Sequence, residues 1–219
     1  MVYDLDKSFE YENGFYATAG VNRMSKFVTH LDLYRKITEL RGEVVECGVF
    51  KGNSLFRWVK FRELLENTFS RKIIAFDIFG EFPETDFVDD QLKRKQFIAE
   101  TNGGVSLSDD EIRELLQASC VDKNTELVKG DILQTLKQYI STNPNLKIAL
   151  LHVDVDIYEA TKETLEVLFP HVVRGGVVIF DDYGAFPGAN KAIDDYFEGT
   201  DIRIKQLPFS NAISYIVKA

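Results

Sequence analysis

Lys-Ile-Ala-Leu-Leu-His-Val-Asp-Val-Asp-Ile-Tyr, residues 147–158, is the stretch that decides the fold of this chain. Its apolar run, 148–151, predicts a strand buried on both faces, as in a parallel sheet covered by helices. The run is followed by Asp154 and Asp156, and an apolar core does not accept such carboxylates unpaired. In an open α/β sheet the ligand lies beyond the carboxyl ends of the strands. This strand therefore directs two acids toward a binding crevice.

The same pattern recurs at 176–182, Gly-Val-Val-Ile-Phe-Asp-Asp. Outward from these two strands, apolar runs predict further strands at 43–49, 72–77, 125–129, 202–207 and 214–218. Helices are predicted at 25–40 with Ser25 as N-cap, and at 54–67, 90–100, 108–118, 133–142, 160–169 and 189–198. Strands that alternate with helices are typical of an α/β fold, with a mostly parallel sheet and helices on both faces. The last two strands are predicted to form an antiparallel pair.

The whole chain, 1–219, is interpreted as one domain, since it contains no repeat and no linker. Residues 1–40 are predicted to form an N-terminal arm, aromatic and without periodicity up to residue 24, followed by a helix. Residues 78–125 interrupt the α/β pattern, and a long insertion of this kind suggests a substrate lid. Within it, Ser108 and Glu111 form a capping box for a helix.

Composition excludes several classes of protein. With a net charge of −9, the 219-residue chain lacks the basic face that nucleic-acid binding requires. No apolar run approaches the ~20 residues of a membrane helix, and the N-terminus does not resemble a secretory signal. Two cysteines do not make a disulfide framework in a chain of this length. We therefore expect a cytoplasmic protein with neither a nucleic acid nor a membrane as partner.

The first candidate binding motif is Glu46-x-Gly48-x-x-x-Gly52-x-Ser54, at a junction of strand and helix. Glycines there let the backbone approach a ligand closely. A dinucleotide fingerprint would have a glycine where Glu46 stands, and an acid would repel a pyrophosphate but suit a ligand with a cationic end. The alternative is a purely structural turn.

Two more acids end predicted strands. Asp77 stands where α/β folds hold a ribose diol, although it could instead cap a helix or lie on the surface. Gly130-Asp131 follows the next strand, where the carboxylate could meet an adenine amino group or cap the following helix. Glu46, Asp77 and Asp131 are more specific together than separately.

A second group consists of Asp154, Asp156, Asp181 and Asp182. Without a nearby cluster of His and Cys, a set of carboxylates favours a hard ion such as Mg²⁺ over zinc. The alternative is that these acids cap helices or pair with lysines. His152 shares the strand parity of Asp154 and could act as a base, but a structural role is the favoured interpretation. His30 and His171 belong to no recognisable pattern.

Taken in order, these motifs resemble the macrocin O-methyltransferase family. The resemblance is carried by residues 44–54, by Phe76-Asp77 and Gly130-Asp131, by 151–158, and by Asp181-Asp182-Tyr183-Gly184 with the downstream Gly188-Ala189. It implies a Rossmann-like class I methyltransferase fold with a seven-stranded sheet. It also implies S-adenosyl-L-methionine as methyl donor, Mg²⁺ or another hard divalent ion as metal, and a small-molecule hydroxyl on a sugar or phenol as acceptor.

The resemblance also implies roles for individual residues. Glu46, Gly48, Val49, Gly52 and Ser54 would hold the methionine part of the cofactor, Asp77 the ribose, and Gly130-Asp131 the adenine. The metal ligands would be Asp154, Asp181 and Asp182, with Asp156 as general base. Residues 78–81, Ile-Phe-Gly-Glu, depart from the Ser-Phe-Glu-Gly usual in the family. Since this loop borders the acceptor pocket, the acceptor is not inferred from relatives.

The function expected is transfer of a methyl group to a hydroxyl, most simply of a sugar in a bacterial glycan, nucleotide sugar or glycosylated natural product. A bound divalent ion lowers the pKa of an oxygen it coordinates, and a neighbouring carboxylate can then take the proton. The alternatives are methylation of a phenol and a metal-dependent glycosyltransferase that uses Asp154-x-Asp156. Two others are an oxidoreductase, disfavoured by the missing glycine fingerprint, and a silent binding module, disfavoured by the retained acids. The sequence is also compatible with a homo-oligomer.

Overall fold

A computed structural model describes residues 3–101, 103–210 and 212–219 of the chain. Within these residues seven strands form one sheet: β1 (Glu43–Cys47), β2 (Ile73–Asp77), β3 (Thr125–Lys129), β4 (Ile148–Val153), β5 (Val172–Phe180), β6 (Lys205–Gln206) and β7 (Ser214–Val217). The spatial order is β3-β2-β1-β4-β5-β7-β6. Strands β1 to β5 are parallel, and β7 runs antiparallel to both β5 and β6. The predicted sheet and its antiparallel end are thus confirmed.

Eight α-helices occur in the described part of the chain: α1 (Ser8–Thr18), α2 (Val21–Arg35), α3 (Asn53–Leu65), α4 (Val88–Glu100), α5 (Asp109–Ala118), α6 (Ile132–Thr142), α7 (Tyr158–Leu168) and α8 (Pro187–Phe197). Apolar side chains of α2, α3 and α5 cover one face of the sheet, and those of α6, α7 and α8 cover the other. Burial on both faces explains why β2 and β4 read as continuous apolar runs, since every side chain of these strands is buried. Among the described residues no helix is both long and apolar enough to span a membrane.

The order of the strands fixes the position of the site. Consecutive strands run outward from β1 through β2 to β3, and the chain then returns to β4 on the other side of β1. The sheet order reverses between β1 and β4, and such a switch point opens a crevice beyond the carboxyl ends of the strands. The carboxyl end of β4 is the acidic end, residues 154–156.

The N-terminal region differs from the prediction. Residues 8–18 form α1, all of whose residues are exposed, and α2 begins at Val21 with Gly20 as N-cap. Ser25 therefore lies inside α2, where its hydroxyl donates to the Asn22 carbonyl at 2.9 Å. The predicted N-cap was wrong because the first turn of α2 carries no apolar stripe that marks its start.

The insertion between β2 and β3 carries α4 and α5. The predicted capping box is confirmed, since the Ser108 hydroxyl accepts from the Glu111 N–H and the Glu111 carboxylate accepts from the Ser108 N–H. Helix α4 is tied to the sheet layer by Asp90, whose carboxylate accepts from the N–H groups of Tyr158 and Gly188 at 2.9 and 2.7 Å. These two N–H groups lie at the starts of α7 and α8, where backbone donors are otherwise unpaired. A single buried acid therefore joins three helices.

Candidate active site

Three carboxylates converge beyond β4 and β5. One oxygen of each of Asp154, Asp156 and Asp182 lies within 4.8 Å of the others. Asp156 has a left-handed backbone with φ of 62°, and its N–H donates to Asp182 Oδ2 at 2.9 Å. Asp and Asn adopt this conformation more readily than most residues. The turn after β4 therefore both orients Asp156 and holds Asp182 beside it.

This crowding changes how readily the acids ionise. Burial raises the pKa of Asp156 to about 7, with the negative charge of Asp154 as the next cause. Burial and the Asp181 carboxylate raise the pKa of Asp154 well above its usual range. Burial and Asp156 do the same to the pKa of Asp182. The cluster therefore favours either protons or a cation at neutral pH.

Asp181 belongs to a different set of contacts. Its Oδ2 accepts from the ammonium of Lys26, on α2, at 2.5 Å. Burial alone would raise the pKa of Asp181, but Lys26 and His152 together hold it below its usual range. The family resemblance implied Asp154, Asp181 and Asp182 as metal ligands, whereas the structure places Asp156 in the close group and pairs Asp181 with a lysine.

His152 and Glu46 form a buried pair beneath the acids. Both side chains are fully buried, and His152 Nδ1 lies 2.9 Å from Glu46 Oε1. Trp58, on α3, donates its indole N–H to the same oxygen at 3.1 Å. His152 Nε2 points the other way, 3.6 Å from Asp181 Oδ1. Burial would lower the pKa of His152, but the carboxylates of Asp181 and Glu46 raise it to about 10.

The buried pair includes contacts of Glu46 and His30 that the sequence did not indicate. Glu46 was predicted to face the cofactor, but its carboxylate is enclosed with Trp58 and His152 and lines neither of the cavities described below. His30, which belonged to no pattern in the sequence, stacks on Trp58 with ring centroids 4.5 Å apart and meets the His152 ring at 5.2 Å. Only the folded chain brings these residues together, since α2, α3, β1 and β4 each contribute one.

The glycine turn after β1 is required by close packing. Gly48 has φ of 90°, and a Cβ atom there would lie 1.7 Å from the Asp154 carbonyl oxygen. Gly52, with φ of 80°, is the N-cap of α3. Gly48 is therefore needed for the close packing of the chain's own backbone, and the approach to a ligand stays a prediction. Val49 and Ser54, the other predicted cofactor residues of this motif, line the second cavity described below.

Asp77 fastens that turn to the end of β2. One carboxylate oxygen accepts from the N–H groups of Val49 and Phe50 at 2.7 and 3.1 Å. The other accepts from the Phe79 N–H and the Ser106 hydroxyl at 2.6 and 3.2 Å. Asp131 caps α6, accepting from the Leu133 N–H at 2.9 Å. Both acids thus have structural roles, and both still line a cavity.

Two adjoining cavities lie over the carboxyl ends of the strands. The first, about 260 Å³, is bordered by Asp77, Ser106, Gly130 and Asp131 and by side chains of the insertion. The second, about 400 Å³, is bordered by the four aspartates and by cationic residues of α2 and α3. Gly48, Asp154 and Asp156 border both cavities. A ligand seated in the first therefore presents one end to the acids of the second.

Residues 11–208 match the family model described as Macrocin-O-methyltransferase (TylF). The chain belongs to the macrocin O-methyltransferase family. Demethyldecarbamoylnovobiocin O-methyltransferase of Streptomyces niveus is 30% identical over 74% of this chain and 60% of its own length. A Streptomyces olivaceus enzyme, 8-demethyl-8-(2,3-dimethoxy-alpha-L-rhamnosyl)-tetracenomycin-C 4'-O-methyltransferase, is 29% identical over 71% of this chain and 58% of its own.

Among solved structures, that of a calicheamicin methyltransferase superposes with a TM-score of 0.80 at 26% identity, covering 96% of this chain and 85% of that one. The chain therefore has the class I methyltransferase fold. The matching part spans about 60% of the length of the curated relatives.

Proposed function

We propose that this protein is an S-adenosyl-L-methionine-dependent, Mg²⁺-dependent O-methyltransferase that acts on a sugar hydroxyl. The observation that carries the proposal is the pair of cavities that meet at Gly48, Asp154 and Asp156. One suits a nucleoside and the other contains an acidic cluster, so donor and acceptor would meet at their junction. The names of the two Streptomyces relatives identify them as O-methyltransferases, and one of those names contains a rhamnosyl group.

The first cavity fits the adenosine part of the cofactor. Its acids, Asp77 and Asp131, stand at the ends of β2 and β3, and the Ile132 and Leu133 side chains add apolar surface beside them. A carboxylate has about four acceptor positions. Asp77 could therefore accept a hydrogen bond from a ribose hydroxyl in addition to those from the N–H groups of the turn. Asp131 could accept one from an amino group while it caps α6.

The acidic cluster fits a hard divalent ion. All its donors are carboxylate oxygens, the ligands that Mg²⁺ prefers. Burial, followed by neighbouring carboxylates, raises the pKa values of Asp154 and Asp182, and a bound cation would favour their charged forms. Asp154 and Asp182 would be ligands, with Asp181 joining them after release of Lys26. When both groups are bound, S-adenosylmethionine supplies an activated methyl group and the ion stabilises negative charge on the acceptor oxygen.

Asp156 is the residue that we assign as general base. It borders both cavities, and burial raises its pKa to about 7, close to the value at which a base works best in neutral solution. His152 is unsuited to this role, because its ring is fully buried and one of its nitrogens is engaged by Glu46. Its position instead favours a structural role, as the lone strand histidine suggested.

The insertion, residues 78–125, would act as a cover for the cofactor. Phe82, Pro83, Phe97 and Ser106 all border the first cavity, so this segment forms one of its walls. A wall built from a long insertion can open and close more readily than the sheet. A small-molecule acceptor is the only partner the proposal requires.

Calorimetric titration tests the proposed function directly. We expect S-adenosylmethionine and S-adenosylhomocysteine to bind, and NAD and UDP to bind far more weakly, with and without Mg²⁺. A panel of nucleotide sugars, glycosides and phenols, assayed with Mg²⁺ and again with EDTA, then identifies the acceptor. Binding of UDP with no binding of S-adenosylmethionine would favour a glycosyltransferase, and activity on phenols alone would contradict the sugar assignment.

A further inference from the structure

Two arginines border the second cavity and form no ion pair with any described residue. Arg23 lies on α2 and Arg57 on α3. Among the described residues, the Arg57 side chain has one hydrogen-bonding contact, with His30 Nδ1 at 3.5 Å, and the Arg23 side chain has none. Burial, followed by the nearby charge of Arg23, lowers the pKa of Arg57. The chain thus holds two like charges together at a cavity wall.

The buried Arg62 and Arg71 and the partly buried Arg94 are well supplied with acceptors. Arg71 forms an ion pair with Glu66 at 2.7 Å and donates to backbone carbonyls. Arg62 donates to three carbonyl oxygens, and Arg94 to two. Burying a charge without a partner is costly. Arg57 is partly buried without an ion pair and the exposed Arg23 lies near it, so the two guanidinium groups are available to an anionic group of a ligand.

Acids border the same cavity as the two arginines. Asp154 and Asp181 are among them, and Asp181 is already paired with Lys26. Since the proposed function assigns these acids to the metal ion, the arginines remain for an anionic group of the ligand. The anionic group of S-adenosylmethionine is its methionine carboxylate, and the cavity adjoins the proposed adenosine site at Gly48.

We propose that Arg57, assisted by Arg23, binds the methionine carboxylate of S-adenosylmethionine. The inference rests on the proposed function and extends it, because it replaces Glu46 in the methionine site with residues that border the cavity. Arg57 supplies the planar donor pair that matches a carboxylate. Arg23 is more exposed, so its contribution is smaller.

The test is calorimetry on the full chain with two ligands that differ at the amino-acid end. S-adenosylhomocysteine retains the carboxylate, whereas 5′-methylthioadenosine has the same adenosine and sulfur without it. Arg57→Gln should weaken binding of S-adenosylhomocysteine about 10- to 100-fold, the scale of hydrogen bonds to charged groups. It should leave 5′-methylthioadenosine binding within about two-fold. Arg23→Gln should show the same selectivity with a smaller effect.

Two further variants complete the design. Lys60 is exposed on α3, and Lys60→Gln removes one positive charge as Arg57→Gln does. This variant should change the binding of neither ligand. Arg57→Lys keeps the charge beside His30 but loses the planar fork, so it should weaken S-adenosylhomocysteine less than Arg57→Gln does. It also provides a folded variant if Arg57→Gln melts at a lower temperature.

Three results would overturn the assignment. If Arg57→Gln weakened the binding of both ligands equally, the variant would be distorting the whole site. Unchanged S-adenosylhomocysteine binding with a raised KM for the acceptor would place the anion on the acceptor instead. If S-adenosylhomocysteine did not bind the unmodified protein, the proposed function itself would be refuted, and the arginine assignment with it.

Discussion

Asp156 combines a left-handed backbone, a hydrogen bond to Asp182 and a pKa raised to about 7 by burial and Asp154. In Asp156→Asn the side chain keeps its size, and asparagine tolerates the left-handed backbone conformation, but the amide cannot accept a proton at neutral pH. We expect turnover to fall about 10²- to 10⁴-fold, the usual share of general-base catalysis. Metal and cofactor affinities should remain near those of the unmodified protein, as measured by calorimetry.

The pH–rate profile gives an independent check on the same residue. A base must be deprotonated, so turnover should rise as pH increases through the pKa of Asp156 and should lack this limb in Asp156→Asn. Excess Mg²⁺ should partly restore Asp154→Ala, as expected of a ligand, and should leave Asp156→Asn unchanged. Near-full activity of Asp156→Asn, together with an inactive His152→Ala that still binds metal, would make His152 the base.

For Glu46, the sequence and the structure predict different effects of the same substitution. Glu46→Ala leaves the Trp58 N–H and His152 without their buried acceptor. We expect the free energy of unfolding in urea to fall by about 3–5 kcal/mol, as when one member of a buried pair is removed. Glu39→Ala, an exposed change of the same type, should stay within about 0.5 kcal/mol. A Glu46→Ala variant of full stability that no longer binds cofactor would instead support the prediction made from the sequence.

The sequence reveals which acids matter better than it reveals what each acid contacts. Asp154, Asp156 and Asp182 follow apolar runs, so their meeting at one sheet edge could be predicted. The Glu46–His152 contact depends on the register of β1 against β4, in which the two residues are direct neighbours across 106 positions of sequence. The Lys26–Asp181 pair joins residues 155 positions apart. No local pattern encodes either pairing.

At the scale of elements, Asp90 is the anchor of α4. Asp90→Ala should release the N–H groups of Tyr158 and Gly188 and so speed hydrogen exchange at the starts of α7 and α8 and throughout α4. The neighbouring acid Asp89 is exposed, and Asp89→Ala should leave these rates unchanged. Similar exchange in both variants would show that α4 is held by its other contacts.

The insertion and the N-terminal helix should respond to ligands. Helix α1 buries no residue, and α4 buries only Asp90, so both should exchange faster than β4 in the free protein. We expect cofactor and acceptor together to slow exchange in both segments. If they are already as protected as β4 without ligands, they are scaffold and the cover assignment fails.

Helix boundaries followed from the sequence only where local signals mark them. The Ser108–Glu111 box predicted the start of α5 correctly because a capping box is a local hydrogen-bond pattern. Helix α1 was not predicted, since a helix with no buried face has no apolar periodicity to detect. Strand β6 is shorter than predicted because only Lys205 and Gln206 pair with β7.

At the scale of the whole molecule, metal binding should raise the free energy of unfolding. The free protein carries a net charge of −9, with a crowded carboxylate cluster among its acids. Mg²⁺ at 100 times its Kd should stabilise the fold by about 2.7 kcal/mol, and each kcal/mol raises Tm by about 2–4 °C in a chain of this size. Asp154→Asn should largely abolish the shift. An equal rise for Asp154→Asn would indicate general screening of charge instead.

The overall architecture was predictable to a greater degree than its details. Five apolar runs alternate with helices, and a parallel sheet covered on both faces is the arrangement that buries them all. The family resemblance supplied the number of strands, which the structure confirms, whereas the strand order comes from the structure alone. Periodicity alone contains no information about which strand becomes the neighbour of which.

The ion pair between Lys26 and Asp181 would have a consequence for the selectivity of the proposed metal site. Lys26 acts as a tethered counter-ion, so an incoming ion competes with an ammonium that is already in place. If the proposed metal binds Asp181, its net affinity would be the difference between the affinities of two cations for one carboxylate. Monovalent ions, which offer no more charge than the lysine, gain little from the exchange, whereas a divalent ion adds a full unit. The helix that carries Lys26 would thereby help the cleft to discriminate ions by valence.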